Sequence, residues 1–306
     1  MTLFLSACST VNTNTQIQKT DDELLQETVE LSKKVKEFGR TLGIKPSSGL
    51  TKSSLEKAIT SSIDIYVQEK NKIGKPPYFS IYFSVACENI PLRPFNNYLA
   101  GHAVYLRCNS QFASEDATIA LEFARASMAR KVEVILHEDL HINTKQLYDS
   151  TYIESLVTPL GRLVALKFFE SIGDLDSQNK VIRYISTYRS ISKEIVNLVS
   201  ELRALYSQSS SGDTSNFTKA LEILDRYPAY RKLMSRELSD QYFDAAFEAK
   251  ISHDLMYYKD FDRIVTLYEK IGDLKTLIEE IKKAPGSQEA IEKYLDELDQ
   301  KYSAAK

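Results

Sequence analysis

Long apolar runs are missing from this 306-residue chain. No stretch reaches the ~18 consecutive apolar residues that a membrane-spanning helix needs, so nothing in it reads as an integral membrane protein. Charge of one sign is missing too: 39 Lys and Arg stand against 42 Asp and Glu, a net charge of −3 with both signs mixed along the chain. That balance leaves no electrostatic footprint for nucleic acid or anionic lipid. Cysteine is scarce, with Cys8, Cys87 and Cys108 the full set. Histidine is nearly as scarce, with four in all, and two of these fall in VEVILHEDLHIN, residues 132–143. What is present is ordinary: 43% hydrophobic and 26% charged residues describe a soluble globular protein, one large domain or two modest ones.

The N-terminus carries a localisation signal. MTLFLSAC ends in Leu5-Ser6-Ala7-Cys8, which resembles the lipobox of bacterial lipoproteins, and a polar stretch suited to a tether follows through residue 20. The apolar segment is shorter than a complete signal peptide and lacks a basic start, so the expectation is a true start upstream of Met1. The resemblance implies lipidation of Cys8 and anchoring to the cell envelope, and Ser9 resembles the residue of lipoproteins sent on to an outer membrane. Cys87 and Cys108 then form an even pair. If 79–87 and 98–107 pair as a hairpin, these cysteines fall at opposite ends of it, too far apart for a direct bridge. The bridge stays open at this point.

Residues 21–41 place Leu24, Leu25, Val29, Leu31, Val35 and Phe38 at mostly helical spacing, with Thr20 or Asp21 as the cap. A second helix is expected from Lys52 to about Glu69. Residues 78–86 and 98–106, aromatic and β-branched, read as two strands of a hairpin, with Gly101 marking a bulge or close backbone approach. From Ser114 the pattern is helical to the end (216–226, 236–258, 260–269, 273–283, 288–302), broken by loops at 171–177 and 207–215. The fold class is therefore α+β, mostly α, with a small antiparallel sheet ahead of the central helices. After the tether (1–20), one domain (21–306) is expected: N-terminal helices and the β-hairpin (21–130), metal-site helices (131–171) and C-terminal helices (178–306).

His137 and His141, four apart in a helical window, share one face and can share one tetrahedral ion. Glu138 follows the first of them, where its carboxylate reaches a water on the metal rather than the metal itself. This is the HExxH arrangement of zinc peptidases, with glutamate as general base. By rough counting, chance supplies such a match in well under ~1% of shuffled versions of so histidine-poor a sequence. Asp139 counts against it, because a charge is unusual at that intervening position. Glu154 lies 13 residues beyond His141, in the first turn of the next helical pattern, where a helical hairpin folds it back as third ligand. The competing reading of Glu154 is a carboxylate favoured by the helix dipole. Asp149 is placed either to cap that helix or to accept a ligand histidine's second N–H. Such chemistry also needs an oxyanion donor, and His253, Tyr257 and Tyr258 are candidates.

HEDLH, seven residues and then DSTYIES resemble the HELAH, seven residues, DTAFNES pattern of the predicted bacterial aminopeptidase family. The stretch from SVACENIPLRPF to ATIALEFA, with Gly101 and Tyr105, resembles that family's hairpin and following helix. FEAKISHDLMYYKDFDRIVTLYEKIGDLKTLIEEIKK resembles its closing helices. The resemblance implies a zincin-like, lipoprotein-like metallopeptidase binding zinc through His137, His141 and Glu154, with Glu138 as base and peptides as substrates. The sequence departs from the family at Asp139-Leu140, at Ile153, and at His102, where the family has cysteine. Two other expectations stand beside it: a zinc-binding lipoprotein without catalysis, and a helical interaction module.

Overall fold

The computed structural model describes residues 19–55, 61–83, 101–109, 117–144, 153–208, 215–239 and 242–303. Cys8, Cys87 and Asp149 lie outside these. The chain is mostly helical, with one three-stranded antiparallel sheet.

Helix α1 (Asp21–Thr41) starts where its sequence says it should. The Thr20 hydroxyl accepts from Glu23 N (3.2 Å) while the Glu23 carboxylate accepts from Thr20 N (2.8 Å), satisfying orphan amides at both ends of a capping box.

The sheet departs from expectation. Residues 61–69 form strand β1 (Ser61–Glu69), not the C-terminal part of a helix, and β1 lies between β2 (Tyr78–Phe83) and β3 (His102–Asn109). The expected hairpin of 78–86 with 98–106 is absent, since β2 and β3 each pair with β1 instead. The physical reason is visible in SIDIYVQE, where β-branched Ile63, Ile65 and Val67 alternate with Ser62, Asp64, Tyr66 and Gln68 at period two. Asp64 ties the three strands, accepting from Ser80 Oγ on β2 (2.5 Å) and from Asn109 Nδ2 on β3. Gly101, at φ +78°, is a turn residue just before β3 rather than a bulge within it, and its carbonyl accepts from Lys70 N at 2.9 Å. Cys108 is disulfide-bonded, to a partner outside the described residues. The objection to a Cys87–Cys108 bridge rested on the hairpin and lapses with it.

The remaining helices are α2 (Leu121–Arg125), α3 (Met128–Asn143), α4 (Ile153–Ile172), α5 (Leu175–Ser207), α6 (Ser215–Leu224), α7 (Pro228–Glu237), α8 (Phe243–Tyr258), α9 (Phe261–Ile271), α10 (Leu274–Ile281) and α11 (Gln288–Ser303). The loop expected at 171–177 narrows to Gly173 and Asp174, whose carboxylate caps α5 through Ser177 N (3.0 Å). The segment 236–258 divides, with Leu238 extended between α7 and α8.

Side chains of α1 to α4 and α9 to α11 share one core; α5 to α8 share a second with Tyr66, Ala103 and Tyr105 of the sheet. Helix α8 packs on β1 and β3 and also on α4. It is buried from Phe243 to Leu255 apart from Asp244 and Ala245, which is why it shows no polar stripe. Its position between sheet and α4 brings the functional residues together. Among the described residues, no helix is long and apolar enough to cross a membrane.

Candidate metal centre

The α3–α4 pair is built to hold one helix tight against the other. Arg162 Nε on α4 donates to buried Glu133 on α3 (2.9 Å), and its guanidinium lies 3.8 Å from the Tyr188 ring centroid. One residue earlier, Gly161 permits direct contact between backbones: a β-carbon there would stand 3.2 Å from His137 Cβ and 3.3 Å from His137 Cα. Near the start of α4, Glu154 projects back between the two histidines.

His137 Nε2 and His141 Nε2 stand 3.0 Å apart, and the Glu154 oxygens lie 3.2 and 3.3 Å from them. Four tetrahedral ligands about 2.05 Å from a zinc ion would lie about 3.3 Å from one another. Each imidazole has a Glu154 oxygen near that distance, Oε2 for His137 and Oε1 for His141, and one ligand atom from each of the three residues lies within 4.8 Å of the others. Glu138 Oε2 is sealed from solvent without a hydrogen bond, and Glu154 Oε2, equally buried, has only the His137 ring 3.2 Å away, out of line for a hydrogen bond. Buried carboxylate oxygens without donors are costly unless a cation answers them. Burial alone would push the Glu154 carboxyl up, but the His141 charge and contacts with both imidazoles outweigh it and hold it well below the usual range. Burial pushes His141 down, and Glu154 with Glu138 more than reverses this. Both shifts have one sense: two carboxylates and two imidazoles favour positive charge at their centre. Two histidines and a glutamate, each offering a ligand atom within 4.8 Å of the others, are a donor set that suits zinc.

Asp139, read from sequence as a flaw in the motif, has a separate task. It is 1% exposed and accepts from Lys36 Nζ (2.5 Å), Ser47 N (2.9 Å) and Ser47 Oγ (2.7 Å). It therefore locks α3 to α1 and the loop after it, on partners the metal ligands do not share.

The three oxyanion candidates separate clearly. Tyr258 stacks on Tyr188 of α5, centroids 5.0 Å apart, within the packing between helices. His253 is engaged at both nitrogens: Nε2 accepts from Arg107 Nη1 (3.3 Å), which leaves Nδ1–H to donate to Asp254 (2.9 Å). Burial pushes His253 down to about 4, so it is neutral and has no donor to spare. Tyr257 is the one on which the charges of Glu154 and Glu138 act. Burial first, then the charges of Glu154 and Glu138, raise its hydroxyl pKa, and the hydroxyl oxygen accepts from Arg107 Nη1 at 2.8 Å.

Arg107 itself was not among the sequence candidates. Its only sequence signal is the strand alternation that places it on the face of Tyr105, and its meaning depends on α8. Behind it, Asp254 accepts from Lys250, Tyr230 and His253, with Lys250 fully buried and also paired to Glu237 (2.8 Å). No known family model matches the chain, and neither does any curated protein or solved structure.

Proposed function

We propose that this chain is a zinc-dependent peptidase of zincin-like architecture, holding the metal through His137, His141 and Glu154. The observation that carries the reading is the convergence of two imidazoles and one carboxylate, with the two Nε2 atoms 3.0 Å apart and a Glu154 oxygen 3.2 or 3.3 Å from each. The resemblance of HEDLH and DSTYIES to the predicted aminopeptidase family supports peptides as the substrate class and an aminopeptidase-like reaction. When bound, zinc would supply Lewis acidity, bringing the pKa of a water to about 7 and polarising a carbonyl. Glu138 holds its unpaired Oε2 ready to take a proton from that water and to return it to the departing amine. Tyr257, its oxygen already accepting from Arg107, keeps its own O–H for the oxygen on which negative charge develops.

Metal analysis tests this directly. The purified protein is expected to carry one zinc per chain; His137→Ala or His141→Ala should abolish binding and Glu154→Ala should weaken it strongly. Full zinc occupancy in the His141→Ala protein would overturn the ligand assignment.

Localisation belongs to the same proposal: a lipid anchor at Cys8 holds the peptidase at the bacterial envelope. Expressed with a complete lipoprotein signal peptide ahead of Cys8, the protein should partition into detergent, whereas Cys8→Ser should release it or leave it unprocessed. Equal partitioning of the two forms would remove the anchor.

A further inference from the structure

A peptidase that reads the amino end of its substrate needs a carboxylate free to hold an ammonium. Among the described residues, the carboxylates around this site have other tasks. Glu138 and Glu154 belong to the metal centre, Asp254 is held by Lys250, Tyr230 and His253, and Asp64 by Ser80 and Asn109.

The group with capacity to spare is a cation. Arg107 lies on β3, partly buried, with its guanidinium 5.0 Å from the Tyr257 ring centroid. Both of its hydrogen bonds leave from Nη1, and both go to uncharged partners, the Tyr257 hydroxyl and His253 Nε2. Its cross-strand neighbour is Asp64, the obvious ion-pair partner, yet both Asp64 oxygens are turned to Ser80 and Asn109. Among the described residues Arg107 makes no ion pair, and its Nε–Nη2 edge donates to no protein acceptor. That edge carries two parallel N–H groups with the geometry of a carboxylate.

We infer that Arg107 is the recognition residue for a carboxylate on the substrate, so that this site takes peptides carrying a free carboxylate, either the chain terminus or an acidic side chain. The inference rests on the peptidase reading above and narrows its substrate class. Tyr257 connects the two parts of the site: its hydroxyl accepts from Arg107, and its helix α8 packs on α4, which carries Glu154. A carboxylate seated on Arg107 is therefore one hydrogen bond removed from the group assigned to the reacting carbonyl.

The experiment uses the full-length, zinc-loaded Glu138→Gln protein, which removes the base so that binding is measured without hydrolysis. Three tripeptides with free amino termini serve as probes: trialanine with a free C-terminus, its C-terminal amide, and an amide in which one alanine is replaced by glutamate. Adding Arg107→Gln should weaken the free-acid tripeptide by ~10–100-fold, the range for a charge-assisted hydrogen bond, and change the plain amide less than about 2-fold. Zinc content should be unchanged. If the glutamate-containing amide matches the free acid, the side chain supplies the carboxylate; if only the free acid binds, the terminus does. Equal affinity for free acid and plain amide would overturn the inference, as would an equal loss for both on Arg107→Gln, which would leave Arg107 only orienting Tyr257. No binding of the free acid at millimolar concentration would overturn it as well. Failure of the peptidase reading looks different: zinc-loaded parent protein that turns over no peptide, whatever its binding preference.

Discussion

Glu138→Gln is expected to lower peptide turnover by ~10²–10⁴-fold, the range for losing a positioned general base, while the protein keeps its zinc. The substitution preserves size and removes only the capacity to take a proton. Glu138 is suited to this role because its Oε2 is buried with no hydrogen bond, so no protein donor occupies the lone pair that would accept the proton. It is also not one of the three atoms with ligand spacing, which separates its effect from metal loss. Zinc content and turnover should be measured on the same preparation. An unchanged rate would place any activity elsewhere, and a zinc-loaded parent protein without turnover would favour the non-catalytic reading.

The second large effect lies one residue along. Asp139→Ala should destabilise the fold by ~3–5 kcal/mol, the cost of leaving one member of a buried ion pair behind. Lys36 is 5% exposed and Asp139 1% exposed, and Asp139 Oδ1 also holds the Ser47 backbone and hydroxyl. Denaturant midpoints at constant m-value check this. The double variant Lys36→Met/Asp139→Leu should recover much of the loss, because it removes both charges together. A loss below about 1 kcal/mol for Asp139→Ala would show the pair to be hydrated rather than buried.

The ligand trio was legible because every part of it is local. An i, i+4 pair and a glutamate 13 residues on need only one helical hairpin to meet, and helical periodicity predicts both helices. The α1 cap was legible for the same reason. Strand β1 was misread because its nine residues follow 52–60 without a breaker, and the alternation in SIDIYVQE was absorbed into a longer helical window. Strand order was beyond the sequence altogether: β2 and β3 both carry strand composition, but nothing local says that each pairs with β1. Arg107 and Asp139 were missed or misjudged because their meaning lies in distant partners, Tyr257 across 150 positions and Lys36 across 103. A charged residue is read from sequence as solvated or as a defect until its partner is known.

The same division between local and distant parts has a consequence in time. His137, His141 and Glu154 close within a single helical hairpin, whereas Tyr257 is made only after a further 103 residues, the difference between 257 and 154. At synthesis rates of about 5–20 residues per second, that interval is roughly 5–20 s. On the proposed reading, a chain reaching the envelope N-terminus first can capture its metal during such a delay, before α8 docks and supplies the hydrogen-bond donor for the oxyanion. The nascent enzyme would therefore be loaded but weakly active, and neighbouring polypeptides would be largely spared until α8 is in place.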